Sequence, residues 1–121
     1  MKISFKIIIL LIFVHLVYIQ KSYAEEKIKI GLLVPLSGKQ SDIGKSILKS
    51  VSLAINKIDN PNIEILPKDT KGNPIETLRA AQELKSNGVK IVIGPIFNKN
   101  LIYLDELQDM IFISFTNKTL E

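Results

Sequence analysis

The stretch "IKIGLLVPLSGKQSDIGKS", residues 28–46, joins an apolar run to a turn rich in glycine and serine. The run from Ile28 to Val34 has few polar breaks, which is typical of a strand buried on both faces. Pro35 ends this run, and apolar residues then recur at helical spacing from Asp42 to Asp59. The stretch therefore predicts a strand, a tight turn and a helix, with Ser41 or Asp42 as the helix N-cap.

The rest of the chain repeats this alternation. The patterns predict three further strands, at Ile63 to Leu66, Lys90 to Ile93 and Met110 to Phe115. They also predict a helix that has Asn73 as its N-cap and a short helix from Asn98 to Gln108. The buried face of the first of these helices is expected to consist of Ile75, Leu78, Ala81 and Leu84. Short connections between alternating strands and helices favour right-handed βαβ crossovers. We expect an α/β fold with a parallel sheet of about four strands, in the order 2-1-3-4, flanked by helices in a Rossmann-like arrangement.

Gly44-Lys45-Ser46 is tempting as the end of a phosphate-binding P-loop. That motif needs four residues between its two glycines, because a fixed number of backbone amides wraps the phosphates. Five residues separate Gly38 from Gly44. Lys45 also falls inside the predicted helix instead of at its start. A P-loop nucleotide-binding enzyme is therefore the least favoured interpretation.

The amino end is typical of an export signal. Lys2 and Lys6 precede an apolar stretch from Ile7 to Ile19, and Ser22-Tyr23-Ala24 has the small-x-small pattern of a cleavage site. We expect residues 1–24 to be a signal peptide, with an uncleaved membrane anchor as the alternative, although the stretch is shorter than the roughly 20 residues of a spanning helix. A periplasmic location follows from this expectation.

The charge of the chain depends on this leader. Lys2, Lys6 and Lys21 are three of the sixteen basic residues, whereas all twelve acidic residues follow residue 24, so the net charge falls from +4 to +1 without the leader. No basic run or aromatic-interleaved patch remains, and a nucleic-acid partner is not expected.

The residue types also limit the chemistry. The chain has no cysteine, and its single histidine, His15, lies in the predicted leader. Histidine-based triads, cysteine nucleophiles and the usual zinc sites are therefore excluded from residues 25–121. Asp69 is interpreted as a turn-forming carboxylate and not as a catalytic one. We expect no enzymatic activity, no cofactor and no metal.

Polar side chains cluster on the loops that such a sheet sends to one crevice. Loops after strands one, three and four meet at the carboxyl edge of a parallel sheet, where the strand order reverses and ligands bind. Uncharged hydrogen-bonding groups on these loops suit a small polar ligand such as an amino acid or an amide. The predicted ligand-binding residues are Ser37, Gly38, Phe97, Asn98, Ser114, Thr116 and Asn117.

Four segments together resemble a known family: "KIGLLVPLSG", "DTKGNP", "AAQEL" and "GVKIVIGPIF". They are similar to the first lobe of type I periplasmic binding proteins of the leucine-binding kind. This resemblance implies a non-enzymatic domain that binds a solute between two lobes and delivers it to an ABC-type membrane transporter. It also implies that residues 25–121 are a truncated first lobe.

A second branch of the same family is also similar. "GPIF", "LPKDTKGNP" and "FISFTN" resemble the penicillin-binding protein activators, and Ile96-Phe97-Asn98 stands where amino-acid binders have small hydroxyl residues. The alternative function that this implies is an interaction module that contacts a peptidoglycan synthase.

Overall fold

The computed structural model describes residues 5–19 and 27–116. Its helices are α1 (Phe5–Ile19), α2 (Ser41–Ile58) and α3 (Pro74–Ser86), its strands are β1 (Ile28–Val34), β2 (Ile63–Asp69), β3 (Ile91–Ile93) and β4 (Ile111–Ile113), and two 3₁₀ turns span Asn98–Leu101 and Leu104–Glu106. The predicted cleavage site after Ala24 lies outside the described residues.

The four strands form one sheet in the order β2-β1-β3-β4, and all three pairings are parallel. The predicted fold class and strand order are confirmed. β1 is an interior strand, because Gly31 pairs with Leu66 of β2 on one side and with Val92 of β3 on the other. The carboxyl ends of all the strands therefore lie at one edge of the sheet.

The burial of β1 differs along its length. Leu32, Leu33 and Val34 are fully buried, whereas Ile28 keeps 54% of its surface exposed. The expected burial on both faces is therefore correct for the second half of the strand and wrong for its start. The half that reaches the carboxyl edge is the anchored half.

The main core lies between the sheet and α3. Ala80, Ala81 and Leu84 of α3 pack with Leu33 of β1 and Val92 of β3. The N-terminus of α3 has the predicted cap, since Asn73 Oδ1 accepts hydrogen bonds from the backbone N–H groups of Ile75 and Glu76. The prediction of Ile75 on the buried face is wrong, since this side chain is 67% exposed on the solvent side of the first turn. Thr77 is buried in its place.

Helix α2 packs on β1 and β2 and begins without the predicted cap. Its N-cap residue is Gln40, which makes no side-chain capping bond, so the prediction of Ser41 or Asp42 is wrong. Gly44 is buried against the backbone of Pro35, and a Cβ at position 44 would overlap the Pro35 carbonyl. This contact, and not capping, holds the start of α2 against the end of β1.

The segment after β3 differs most from its prediction. The expected helix from Asn98 to Gln108 is instead two 3₁₀ turns. Leu101, Leu104 and Leu107 recur every three residues, which matches the three residues per turn of a 3₁₀ helix and not the 3.6 of an α-helix. Leu104 and Leu107 are buried in the main core.

Strand β2 is longer than predicted, since it continues through Pro67 to Asp69. Asn62 O accepts the N–H of Ile28, and the alternation of a parallel ladder then turns the backbone groups of Pro67 away from β1. An outward position on an edge strand needs no N–H, so proline is tolerated there. Strands β3 and β4 are each shorter than predicted.

None of the helices in the described part of the chain combines the length and the apolar character that crossing a membrane requires.

The contact of Gly44 with Pro35 predicts a large effect of a small substitution. We expect Gly44→Ala to lower the free energy of unfolding by about 1–3 kcal/mol, because the new methyl group has no space beside the Pro35 backbone. The matched control is Ser50→Ala on the exposed side of the same helix, where a change within about 0.5 kcal/mol is expected. Urea unfolding of the full chain measures both. Equal stability of the two variants would contradict the close contact.

Candidate functional site

The candidate site is formed by the three edge loops, which we define as residues 35–41, 95–99 and 114–116. Each follows the carboxyl end of a parallel strand, namely β1, β3 and β4. The topology therefore brings the predicted residues Ser37, Gly38, Phe97, Asn98, Ser114 and Thr116 to one edge of the sheet. The predicted residue Asn117 lies outside the described residues.

The first edge loop is held by the carboxylate of Asp69, at the end of β2. Asp69 Oδ1 accepts hydrogen bonds from the backbone N–H groups of Leu36 at 2.8 Å and Ser37 at 3.3 Å, and Oδ2 accepts one from Ser37 Oγ at 2.6 Å. Oδ1 also accepts the N–H of Lys71 at 2.8 Å. The predicted structural role of Asp69 is confirmed, and its reach extends beyond its own turn to the loop after β1.

These hydrogen bonds set the ionisation of Asp69. Partial burial would by itself raise the pKa of the carboxyl group, but the hydrogen bonds from Ser37 Oγ and from the backbone amides of Lys71, Leu36 and Ser37 together lower it below 3.8. Asp69 is therefore a carboxylate at neutral pH. Its charge is directed at fixed donors inside the fold.

The first edge loop turns at Gly38, which has a φ of +78°. This conformation is strained for any residue with a Cβ. The carbonyl of Gly38 accepts the N–H of Ser41 at 3.2 Å, so the turn leads directly into α2. Gly38 thus shapes the loop through its backbone.

The second and third edge loops are joined to each other. Gly94 donates its N–H to the carbonyl of Ile113 at 2.8 Å, and Ser114 Oγ donates to the carbonyl of Pro95 at 3.1 Å. Ser114 Oγ also accepts the backbone N–H of Thr116 at 3.1 Å. The hydroxyl of Ser114 is therefore engaged within the protein, like that of Ser37.

Asn98 and Asn100 differ from Ser37 and Ser114, because they carry buried amide atoms without a hydrogen-bond partner among the described residues. Asn98 begins the 3₁₀ turn on the second edge loop, and its Oδ1 is buried without a hydrogen-bond partner among the described residues. Both amide atoms of Asn100 are in the same state, and this residue is only 1% exposed. Buried polar atoms normally have partners, so these three atoms are exceptions, and an external polar group reaches them only if their side chains turn outward.

Sequence reasoning included Asn98 but missed Asn100. The sequence shows two asparagines in a polar turn, which is ordinary turn chemistry. Only the packing of the turn against α3 distinguishes a buried amide from a solvated one.

A surface depression of about 360 Å³ lies away from the edge loops. It is beside β2 and the C-terminal end of α3, and its lining residues are Lys29, Glu64, Leu66, Pro67, Lys68 and Asn87. Lys29 Nζ donates to the carbonyl of Asn87 and Lys68 pairs with Glu83, so two of its charged groups are already engaged. We favour the edge loops as the candidate site, because they combine convergent strand ends with unpaired buried amides.

Among the described residues, no group of three or more histidine, cysteine, aspartate or glutamate side chains has an arrangement that could hold a metal ion.

Comparison with known proteins places this fold in context. The sequence profile described as "Periplasmic binding protein" matches residues 27–103. None of the curated protein sequences matches the chain.

Three solved structures illustrate the likeness. A solute binding protein of an ABC transporter from Rhodopseudomonas palustris BisB5, in complex with 3,4-dihydroxy benzoic acid, is 30% identical with a TM-score of 0.68, and the match covers 74% of this chain and 27% of that one. The C-domain of LpoA (YraM) from Haemophilus influenzae, a regulator of PBP1A, is 28% identical with a TM-score of 0.62, covering 75% and 28% of the two chains. The leucine binding protein LivK from Thermotoga maritima MSB8 shares the fold at 17% identity and a TM-score of 0.66, covering 72% and 27%. The chain thus spans little more than a quarter of the length of these proteins.

The hydrogen bonds of the Asp69 carboxylate predict that this residue stabilises the fold. We expect Asp69→Ala to lower the free energy of unfolding at pH 7 by about 1–3 kcal/mol, because four donors on two loops lose their acceptor. The matched control is Asp105→Ala at an exposed position, with an expected change within about 0.5 kcal/mol. Chemical denaturation of the full chain measures both.

The same variant has a defined pH dependence. The folded-state pKa of Asp69 is lowered, so its contribution is fully present above the ordinary value of 3.8 and is lost as the pH falls through the lower folded value. The stability difference between the original chain and Asp69→Ala should therefore shrink as the pH falls below 3.8. A difference that stays constant across this range would contradict the ionised role.

Proposed function

Because the chain belongs to the periplasmic binding protein family, we propose that its edge loops form one half of a cleft that binds a small polar solute, for a transport system of the ABC type, outside the inner membrane. The ligand contacts in this proposal are Ser37, Gly38, Phe97, Asn98, Ser114, Thr116 and Asn117. The protein acts in it by binding and not by catalysis.

The observation that carries this proposal is the buried, unpaired Oδ1 of Asn98 on the loop after β3. An acceptor that lacks a partner favours a ligand with a donor, such as an amide, an ammonium or a hydroxyl group. The family membership supports the choice of a solute, since two of the similar proteins are a solute binding protein and a leucine binding protein.

The hydroxyls of Ser37 and Ser114 have a more limited part in this proposal. Each already donates its hydrogen within the protein, Ser37 to Asp69 and Ser114 to Pro95. They can still accept a hydrogen bond from a ligand. All three named acceptors therefore select a ligand that donates, and the engaged hydroxyls keep the two loops in place for it.

A panel of amino acids, their primary amides and hydroxybenzoates tests the proposal on the full chain. A compound at 100 times its dissociation constant should add about 2.7 kcal/mol of stability and shift the backbone amide signals of Ser37, Asn98 and Ser114 in NMR spectra. Asn98→Ala should weaken the binding at least about tenfold, whereas the neighbouring exposed control Lys99→Ala should keep it. If no compound in the panel moves these signals, solute binding is wrong.

A second function is favoured by the apolar side chains on the second edge loop. Ile96 and Phe97 are half-buried on this loop, which follows the carboxyl end of β3. An aromatic group at such a position suits a protein partner. The 28% identity with the C-domain of LpoA, a regulator of PBP1A, supports a peptidoglycan synthase as this partner.

Binding of purified PBP1A to the immobilised full chain tests this alternative. Phe97→Ala should weaken the binding at least about tenfold, because aromatic anchors dominate interface energies. The matched control is Tyr103→Ala, an aromatic side chain with 42% exposure between the two 3₁₀ turns, and it should bind like the original chain. Equal losses in both variants, or no binding at all, would remove the activator-like function.

A further inference from the structure

The depression beside β2 and α3 is a second place where polar side chains meet an apolar surface. In the register of β1 and β2, Lys29 pairs with Glu64 and Gly31 with Leu66. These residues share the face of the sheet that α3 covers, since Leu33, in the same alternation of β1, packs under that helix. The depression of about 360 Å³ therefore opens between the edge strand β2 and the C-terminal end of α3.

Two lysines connect the sheet to α3 at the ends of this depression. Lys68 Nζ lies 2.7 Å from Glu83 Oε2, and Lys29 Nζ donates to the carbonyl of Asn87 at 3.1 Å. Residues 83 and 87 are four apart, so these contacts lie about 6 Å apart along the direction of the helix. Leu66 lies between their levels on β2, half-buried against the main core. The depression therefore has an apolar floor with a lysine at each end.

The charges at the two ends are paired differently. The ammonium group of Lys68 has a carboxylate partner, Glu83, whereas that of Lys29 contacts only a neutral carbonyl. No ion pair joins Lys29 to Glu64, its neighbour in the register. Among residues 5–19 and 27–116, no group donates a hydrogen bond to the Glu64 carboxylate, although this residue is half-buried. One end of the depression thus presents an ammonium and a carboxylate that each lack a charged partner.

We propose that this depression binds a free α-amino acid with an apolar side chain, at a site separate from the edge loops. The carboxylate of the ligand contacts Lys29 Nζ, which keeps two N–H donors beyond the one that Asn87 accepts. The ammonium of the ligand contacts the carboxylate of Glu64, and its apolar side chain lies on Leu66 and Pro67. Each part of the amino acid therefore meets a group of matching chemistry.

Other kinds of ligand fit this depression less well. An anion at Lys29 lies close to the like charge of Glu64, and a cation at Glu64 lies close to Lys29, which is unfavourable in both cases. A purely apolar molecule would cover both charges without pairing them. A peptide strand added along β2 would lack one hydrogen bond, because Pro67 has no N–H at the outward edge. A zwitterion avoids these costs.

This site does not depend on the solute binding proposed for the edge loops. The edge loops follow the carboxyl ends of their strands, whereas Lys29 and Glu64 are each the second residue of a strand, at the amino edge of the sheet. Lys29 and Pro35 are six residues apart in an extended chain, which corresponds to about 20 Å. A small ligand at one site therefore does not contact the other site.

The test compares L-phenylalanine with three compounds that each lack one of its parts. Hydrocinnamate lacks the ammonium group, phenethylamine lacks the carboxylate, and glycine lacks the side chain. Each is titrated into the isotope-labelled full chain, and the backbone amide signals of Lys29, Glu64 and Asn87 are followed by NMR. Phenylalanine should shift these signals. The other three compounds should bind at least about threefold more weakly, a modest factor because the charged groups are solvent-accessible.

Neutral variants then assign each charged contact. Glu64→Gln should weaken phenylalanine binding about three- to tenfold without weakening that of hydrocinnamate, which has no ammonium group. Lys29→Gln should weaken phenylalanine binding by a similar factor without weakening that of phenethylamine, which has no carboxylate. The matched control is Lys49→Gln at an exposed position of α2, and its affinity should change less than about twofold. Circular dichroism checks that all three variants remain folded.

Four results would overturn the proposal. The signals of the depression could stay unchanged at millimolar phenylalanine, or all four compounds could shift them with equal affinity. Both neutral variants could bind phenylalanine like the original chain. Phenylalanine could also shift only the signals of Ser37 and Ser114, which would assign amino-acid binding to the edge loops alone. In that last case the solute binding proposed above stands while this second site is wrong.

Discussion

The two-sided pairing of β1 is the constraint on which the rest of the structure depends. Once β1 has β2 on one side and β3 on the other, the alternation of its side chains assigns Leu33 to the core under α3 and Leu32 and Val34 to the face under α2. The strand then stops at Pro35, and the absence of a side chain at Gly44 lets α2 start directly over that stop. The first edge loop is short because α2 starts this close to the end of β1. The same constraint fixes where the loop can be joined to Asp69.

Local signals in the sequence were sufficient for most elements and insufficient where tertiary contacts decide. The Asn73 cap with Pro74 after it acts within one turn, so the start of α3 could be predicted. The start of α2 could not, since the residue that fixes it, Gly44, acts through the backbone of Pro35 and not through a cap. The predicted α-helix after β3 is wrong although the signal is present in the sequence, because a strict leucine period of three is that of a 3₁₀ helix.

The candidate site divides in the same way. Parallel topology alone predicts that the loops after β1, β3 and β4 share an edge, and the sequence was enough for this. Whether a hydroxyl on such a loop faces a ligand or the protein depends on a partner distant in sequence. Ser37 finds Asp69 thirty-two residues away, and Ser114 finds Pro95 nineteen residues away. The sequence cannot distinguish these engaged hydroxyls from the unpaired amide of Asn98, because all three are polar residues in turns.

The two faces of the sheet then differ for a physical reason. Crossovers that move from β2 to β3 and from β3 to β4 place α3 and both 3₁₀ turns on one face, where they bury Val92, Leu104 and Leu107. The single crossover from β1 to β2 places only α2 on the other face, over β1 and β2. One helix cannot cover four strands, so Ile111 and Ile113 of β4 keep 62% and 56% of their surface exposed because of the topology. The flank of α2 that faces away from β3 instead carries the exposed Lys45, Lys49, Ser52 and Asn56, so the two sides of this helix differ in polarity as well as in their neighbours.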